Sequence, residues 1–275
     1  MWPWQDRNRH FSWLKAITLA GMFGPALWLL SSTASGAFGL TPIGELTFWS
    51  GVWAIAILLL ALAVTPGAKI FRWGRLIIVR RMIGVTALLY TLAHILIYFA
   101  LRLWDFGVIG REMATSVSLI AATVSTIGLT ALGVTSLDAA IHRMGAKGWN
   151  QLHNLIYVIT GLALMHFLIV PEMYAEQYIA CGAFFWLMLW RVLNNHARGS
   201  DASTLAMLAI AACLFTACLE AGWGWAYYGY EPLGTLSNNF SLILGVSPAW
   251  KILIVGLLIT LAAAWQSFQT REAIP

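Results

Sequence analysis

Eight apolar stretches, each close to twenty residues long, run through this chain at roughly residues 13–31, 46–64, 83–103, 116–134, 152–171, 174–193, 203–222 and 249–268. About twenty residues at 1.5 Å rise is the helix length that crosses a hydrocarbon core of about 30 Å. Lipid offers the backbone no hydrogen-bond partners, so such segments must satisfy their own N–H and C=O groups as helices. The expected fold is an all-α integral membrane protein, a bundle of about eight transmembrane helices. Composition agrees. Hydrophobic residues make up 60% and charged residues 10% of the chain, where soluble proteins carry about a quarter charged.

The net charge of +5 does not point to nucleic acid, because the basic residues alternate with the spans. Arg7, Arg9 and Lys15 precede the first span. Lys69, Arg72, Arg75, Arg80 and Arg81 lie between the second and third. Arg143 and Lys147 lie between the fourth and fifth, Arg191 and Arg198 between the sixth and seventh, and Arg271 follows the eighth. The opposite side has Arg102, Arg111 and Lys251. Thirteen against three is a positive-inside asymmetry that places both termini in the cytoplasm. The basic start, the apolar run and the small residues at Ser35-Gly36-Ala37 also resemble a signal peptide. The segment is read here as an uncleaved anchor.

The loops are short. The longest is the outward segment from about Trp223 to Ala249, too small for a soluble domain, and no strand–GxGxxG–helix unit for a nicotinamide or flavin dinucleotide occurs. Three regions are expected: an N-terminal anchor and outward loop (1–44), a core (45–193), and two additional C-terminal helices (194–275), with a polar seam at Asn194–Ser203. The fourth span, rich in Ser, Thr, Gly and Ala, suits close helix packing. Cys181, Cys213 and Cys218 fall in spans without a Cys-x-x-Cys spacing, so they read as reduced, packed thiols and not as iron–sulfur or zinc ligands. Trp49, Trp53, Trp104, Trp149, Tyr174, Tyr178 and the run Trp223–Tyr230 lie near span ends and read mainly as interfacial anchors.

His10, His142 and His196 sit in cytoplasmic segments and read as solvated or interfacial. His94, His153 and His166 fall within or at the ends of spans, where an ionisable side chain is costly and marks a candidate site; the structural alternative is a neutral imidazole bonded to a neighbouring helix. Spans three and five run in the same direction. His94 is the twelfth residue of one and His166 the fifteenth of the other, roughly 16 and 21 Å above their cytoplasmic ends. Two imidazoles at matching depth on separate helices are a natural axial pair for heme iron. His153 lies thirteen residues before His166, roughly 20 Å lower and some 140° around a straight helix. It therefore belongs to a different level, where a second heme, another cofactor or a structural role is open, with His142 as a candidate partner. Gly161 lies between the two and is a candidate bend. Arg80 and Arg81, near His153 in depth, suit a phosphate or a propionate, or serve as plain positive-inside charge.

The segments "SGVWAIAILLLALAVTP" (Ser50–Pro66), "RRMIGVTALLYTLAHILIY" (Arg80–Tyr98) and "GWNQLHNLIYVITGLALMHF" (Gly148–Phe167) together resemble the MsrQ (YedZ) family. These are heme-binding membrane subunits of periplasmic methionine-sulfoxide reductase systems, within the ferric-reductase-like transmembrane group. The resemblance covers roughly residues 45–193. It implies a six-helix core holding heme b, one or two, through metal ligands matching His94, His153 and His166. It also implies FMN near Arg80 and Arg81. Its partners would be a cytoplasmic flavin reductase or the quinone pool as donor and a periplasmic molybdopterin methionine-sulfoxide reductase (MsrP-like) as acceptor. Three features depart from the pattern: Asn154 follows the Leu-His pair where a basic residue is common, the outward loop "LWDFGVIGREMATS" lacks the usual Lys-Arg-Pro-Tyr-like stretch, and two further spans follow the core.

The leading expectation is a bacterial inner-membrane b-type cytochrome of the kind this resemblance implies, an electron-transfer subunit with no catalytic residues of its own. The alternatives are a stand-alone ferric or quinone reductase on the same scaffold, with Trp223–Tyr230 lining an acceptor site, or a heme-free transporter or assembly factor using Glu45, Glu220 and the histidines as ion sites.

Overall fold

The computed structural model describes residues 4–5, 10–170, 174–194, 201–243 and 245–272. Arg7, Arg9, His196 and Arg198, and the Arg271 side chain, lie outside the described residues. The chain forms α1 (Trp13–Ala34), α2 (Pro42–Ile70), α3 (Ile77–Leu101), α4 (Phe106–Thr115), α5 (Val117–Val134), α6 (Asp138–His153), α7 (Ile156–Leu168), α8 (Ala175–Asn194), α9 (Ala202–Tyr228), α10 (Pro232–Phe240) and α11 (Pro248–Glu272). No strand is present among the described residues.

Over the described residues seven of the eight apolar windows each fall on one helix, and the window at 152–171 straddles the break between α6 and α7. Among the described residues six helices are long and apolar enough to cross a membrane, namely α1, α2, α3 with the turn before it, α5, α9 and α11. The bent pair α6–α7 makes up to seven. The remaining window lies on α8, which carries Glu176, Gln177 and Arg191 within its twenty residues and does not reach the same apolarity. The protein is thus an all-α, multi-pass membrane protein.

The helices group into two compact units, Met1–Ala61 with Ile77–Pro171, and Leu62–Leu76 with Glu172–Pro275. In the first, α5 packs along α7, and α3 lies against both α1 and α5. The small residues of α5 make this possible. A Cβ on Gly128 would stand 2.8 Å from the Ile159 side chain, and one on Gly133 would stand 2.4 Å from Leu88 Cδ2. Ser125 Oγ donates to Ile159 O at 3.0 Å, tying α5 to α7. On α1, Pro25 interrupts the helical ladder because it has no N–H. The Tyr90 hydroxyl of α3 enters the gap. It accepts from Ala26 N at 2.9 Å and donates to Met22 O at 2.7 Å, so both backbone groups stay satisfied.

Leu103 and Trp104 turn the chain through left-handed backbone at φ 54° and 59°. Asp105 then caps α4, accepting from Gly107 N at 2.9 Å and Val108 N at 3.0 Å. Tyr98 Oη donates to Glu112 Oε2 at 2.5 Å and Arg102 Nε donates to the same oxygen at 2.8 Å, holding α4 to the end of α3. That hydroxyl and that guanidinium keep the Glu112 carboxyl below the usual carboxylate range.

In the second unit α9 packs along α11 and against α8 and α10. Its close approaches again rest on glycine: a Cβ on Gly182 would meet Thr216 Oγ1 at 2.1 Å, and one on Gly256 would meet Ala209 Cβ at 2.5 Å. Pro66, near the end of α2, cannot bond Leu62 O. Arg191 Nη2 donates to that carbonyl instead, at 2.7 Å. The sequence pattern Thr65-Pro66 therefore reads as a prepared acceptor for a cation deep in the unit. Gly229, at φ 69°, ends α9 in a left-handed cap, and the Glu231 carboxylate caps α10 through Leu233 N and Gly234 N. Tyr178, an expected interfacial anchor, is instead 2% exposed and lies inside this unit.

Candidate metal centre

His94 on α3 and His166 on α7 face one another with ring centroids 6.5 Å apart and ring planes at 63°. An imidazole nitrogen sits about 2 Å from a first-row metal and about 1.1 Å from its own ring centroid, so two axial imidazoles on one ion stand roughly 6.3 Å apart. The observed spacing is that of a single ion held between two rings.

The hydrogen bonds select the tautomer such an ion needs. His94 Nδ1 lies 3.0 Å from Thr47 O, a carbonyl that can only accept, so Nδ1 carries the proton. Ser50 Oγ lies 3.0 Å from the same nitrogen and donates its own proton to Thr47 O at 2.8 Å. Nε2 of His94 keeps its lone pair. On the other side Ser118 Oγ donates to His166 O at 3.3 Å, which leaves it to accept from His166 Nδ1 at 2.8 Å. Nε2 of His166 is likewise the unprotonated nitrogen. Metal-ligating histidines characteristically donate their second ring N–H to a carbonyl or an oxygen acceptor, which fixes the ring and raises its basicity.

Sterics fix the His94 ring further. Thr47, Ser50 and Gly51 lie on consecutive turns of α2 facing α3. A Cβ on Gly51 would stand 3.0 Å from His94 Cε1 and 3.3 Å from Nδ1. Only glycine leaves the ring its place there without a shift. Phe48 and Phe167 pack at 6.0 Å, screening the same region with apolar surface. The donor set, the ring spacing and the glycine cradle all fit a bis-imidazole iron porphyrin.

His153 is held apart from this pair. It ends α6, and a bend of 41° at Asn154–Leu155 separates α6 from α7. The expected straight or Gly161-bent helix is therefore corrected. The break falls at Asn154, whose short polar side chain suits a helix end, while Gly161 continues α7. The His153 ring stacks on Trp149 at 3.8 Å. Its Nδ1 donates to Trp149 O at 3.1 Å, and its Nε2 lies 3.3 Å from Ser136 Oγ. Ser136 Oγ donates its proton to Leu132 O at 2.8 Å, so Nε2 keeps its lone pair, but no second imidazole pairs with it: His142 forms no ring contact with His153 among the described residues.

Arg80 lies close enough to His153 for their charges to interact. Arg81 is paired with Asp138 at 2.5 Å, both side chains largely exposed.

Sequence reasoning found the two facing imidazoles but missed Thr47, Ser50, Gly51 and Ser118. The signal for them was present: a Ser-Gly pair interrupts the apolar run of α2, and Ser118 opens the Ser/Thr-rich α5.

The chain matches the family model described as ferric reductase like transmembrane component over residues 49–164. That segment takes in Ser50, Gly51, His94, Ser118 and His153 and ends two residues before His166. Three curated relatives carry the name protein-methionine-sulfoxide reductase heme-binding subunit MsrQ. The protein from Caulobacter vibrioides is 32% identical over 183 residues, 66% of this chain and 87% of the relative. That from Polaromonas naphthalenivorans is 34% identical over 178 residues, 63% and 81% of the two chains. That from Yersinia enterocolitica is 37% identical over 163 residues, 58% and 81%. No solved structure matches the chain. Helical architecture, paired imidazoles and relatives matched over more than four fifths of their length agree, and the chain belongs to the MsrQ family of heme-binding membrane subunits.

Proposed function

We propose that this protein is a b-type cytochrome of the bacterial inner membrane. It carries electrons from the cytoplasmic side to a periplasmic molybdopterin methionine-sulfoxide reductase of the MsrP kind. The observation that carries this reading is the His94–His166 pair, with 6.5 Å between rings and each Nδ1 engaged so that each Nε2 is free to ligate. His94 and His166 would hold the heme through their Nε2 atoms, and a heme so held would supply one-electron transfer in preference to oxygen binding. Thr47 and Ser50 orient one ring, Ser118 orients the other, and the surrounding apolar helices exclude water.

One heme per chain is the reading favoured by His153, whose Nε2 lies against Ser136 and whose ring lies on Trp149. His153 then acts as a structural residue between α5 and α6. An anionic cofactor, FMN or the phosphate end of a donor's flavin, would be held first by Arg80. The exposed Arg81–Asp138 pair is worth about 0–1 kcal/mol and yields readily to an incoming phosphate. The donor is a cytoplasmic flavin reductase or the quinone pool. With thirteen basic residues on one side and three on the other, both termini are assigned to the cytoplasm.

The test is a dithionite-reduced minus oxidised visible spectrum of detergent-purified protein, with heme quantified per chain. Low-spin b-type bands at one heme per chain are expected. A heme-free protein from cells supplied with heme overturns the proposal, and high-spin iron overturns the bis-imidazole assignment.

Losing an outer-shell partner of a metal-bound His costs about 10- to 100-fold in metal affinity. Ser118→Ala is therefore expected to weaken heme retention by about that factor while keeping the low-spin spectrum, read by transfer of heme to apomyoglobin. Ser118→Thr, which keeps the hydroxyl, should recover most of the loss.

A further inference from the structure

We propose that the cavity between the end of α1 and the start of α2 binds an alkylammonium group, carried by an aminophospholipid headgroup. The cavity is about 540 Å³ and is lined by Trp28, Ser32, Phe38, Glu45 and Trp49 with the Ala37 and Gly39 backbone. Its aromatic walls meet at corners. The Trp28 ring stands 5.4 Å from Trp49 at 79° and 5.9 Å from Phe38 at 76°. The loop that brings Phe38 back over Trp28 depends on left-handed backbone at Gly36 and Gly39, φ 72° and 64°, and Ala37 N donates to Ser32 O at 3.0 Å to close it.

Inside this aromatic corner sits one carboxylate. Trp49 Nε1 donates to Glu45 Oε2 at 3.2 Å, which fixes the carboxylate at the edge of that indole within the cavity lining. Glu45 is the only charged residue between Lys15 and Lys69, and no ion pair to it occurs among the described residues. The helix dipole explains a carboxylate in the first turn of α2. It does not explain why two indoles and a phenyl ring line the cavity that the carboxylate enters. Aromatic faces around a cation, reinforced by an anionic group, form a site selective for ammonium compounds.

Location favours a lipid. The cavity lies where two membrane-spanning helices end, at the level of headgroups, and the adjoining Leu40 is fully exposed and apolar. A lipid anchored there by its chains needs only its headgroup to turn into the cavity. Phosphatidylethanolamine carries the ammonium, and phosphatidylglycerol is the matched lipid without one.

The experiment places the full chain in nanodiscs of equimolar phosphatidylethanolamine and phosphatidylglycerol and measures co-retained lipid by native mass spectrometry. Wild type is expected to prefer phosphatidylethanolamine by roughly tenfold. E45Q keeps the acceptor for Trp49 Nε1 and removes only the charge, and W28L removes one wall. Both should bring the preference close to unity with helical circular dichroism unchanged. Equal retention of the two lipids by wild type overturns the proposal, as does a preference that E45Q leaves intact. A soluble arm separates the sources of the ammonium. Ethanolammonium chloride in excess should displace the retained phosphatidylethanolamine. If it binds in phosphatidylglycerol-only discs while wild type shows no lipid preference, the lipid assignment is wrong.

Discussion

His94→Ala and His166→Ala are each expected to lower the heme recovered per chain to near background. His153→Ala should leave heme content within about twofold of wild type. The reasoning rests on what each ring holds. His94 and His166, their ring centroids 6.5 Å apart, would each give an Nε2 lone pair to the heme, and removing either takes away one of the two residues that would hold it and leaves an apolar void. His153 faces no second imidazole: its ring lies on Trp149, its Nδ1 donates to Trp149 O and its Nε2 rests against Ser136 Oγ. Heme per chain by the pyridine hemochrome method, with size-exclusion elution as the folding control, gives the answer directly. Imidazole added to the His166→Ala protein should restore part of the low-spin spectrum, because the cavity left by the side chain fits the free ring. Full heme content in both single variants would remove the basis of the proposed function. A collapse in His153→Ala alone would move the iron to the lower level.

The pairing of His94 and His166 was legible in the sequence because helix rise is a rigid ruler. Two residues at similar distance from like-directed span ends must lie at similar depth, whatever the packing in detail. The angular relation of His153 to His166 was not legible. A straight helix puts them on different sides, and the actual bend at Asn154–Leu155 comes from a local helix end that apolar periodicity does not register. The positioning shell was hidden for another reason. Thr47, Ser50 and Gly51 meet His94 across two helices, and Ser118 meets His166 across two others, so their roles depend on helix rotation and not on depth. Composition marks small polar residues in spans as packing residues, which Ser125 and Gly128 are. It cannot tell these from residues that orient a ring. Pro25 and Pro66 break the helical ladder because they lack an N–H, and Tyr90 and Arg191, which repair those breaks, were visible only once helices were placed side by side.

Gly256→Ala is expected to destabilise the second unit by about 3 kcal/mol, the upper end of overpacking costs. The added Cβ would stand 2.5 Å from Ala209 Cβ and 3.1 Å from Ala209 Cα. A long side chain in the way could rotate aside, but a backbone atom and its Cβ cannot, so α9 and α11 must separate. Ala209 is completely buried and the two helices pack along their lengths, so separation opens contacts over several turns. Gly182→Ala meets a softer obstacle, because Thr216 Oγ1 at 2.1 Å can change rotamer, although it would then give up its bond to Ala212 O at 2.7 Å. Gly222→Ala, on the same α9, has nothing within 4 Å and serves as the control, with a stability change of about zero to 1 kcal/mol in the favourable direction. Thermal unfolding in detergent ranks the three variants, and hydrogen exchange across α9 and α11 locates the damage. If Gly256→Ala and Gly222→Ala melt together, α9 and α11 do not approach as closely as their glycine and alanine surfaces require.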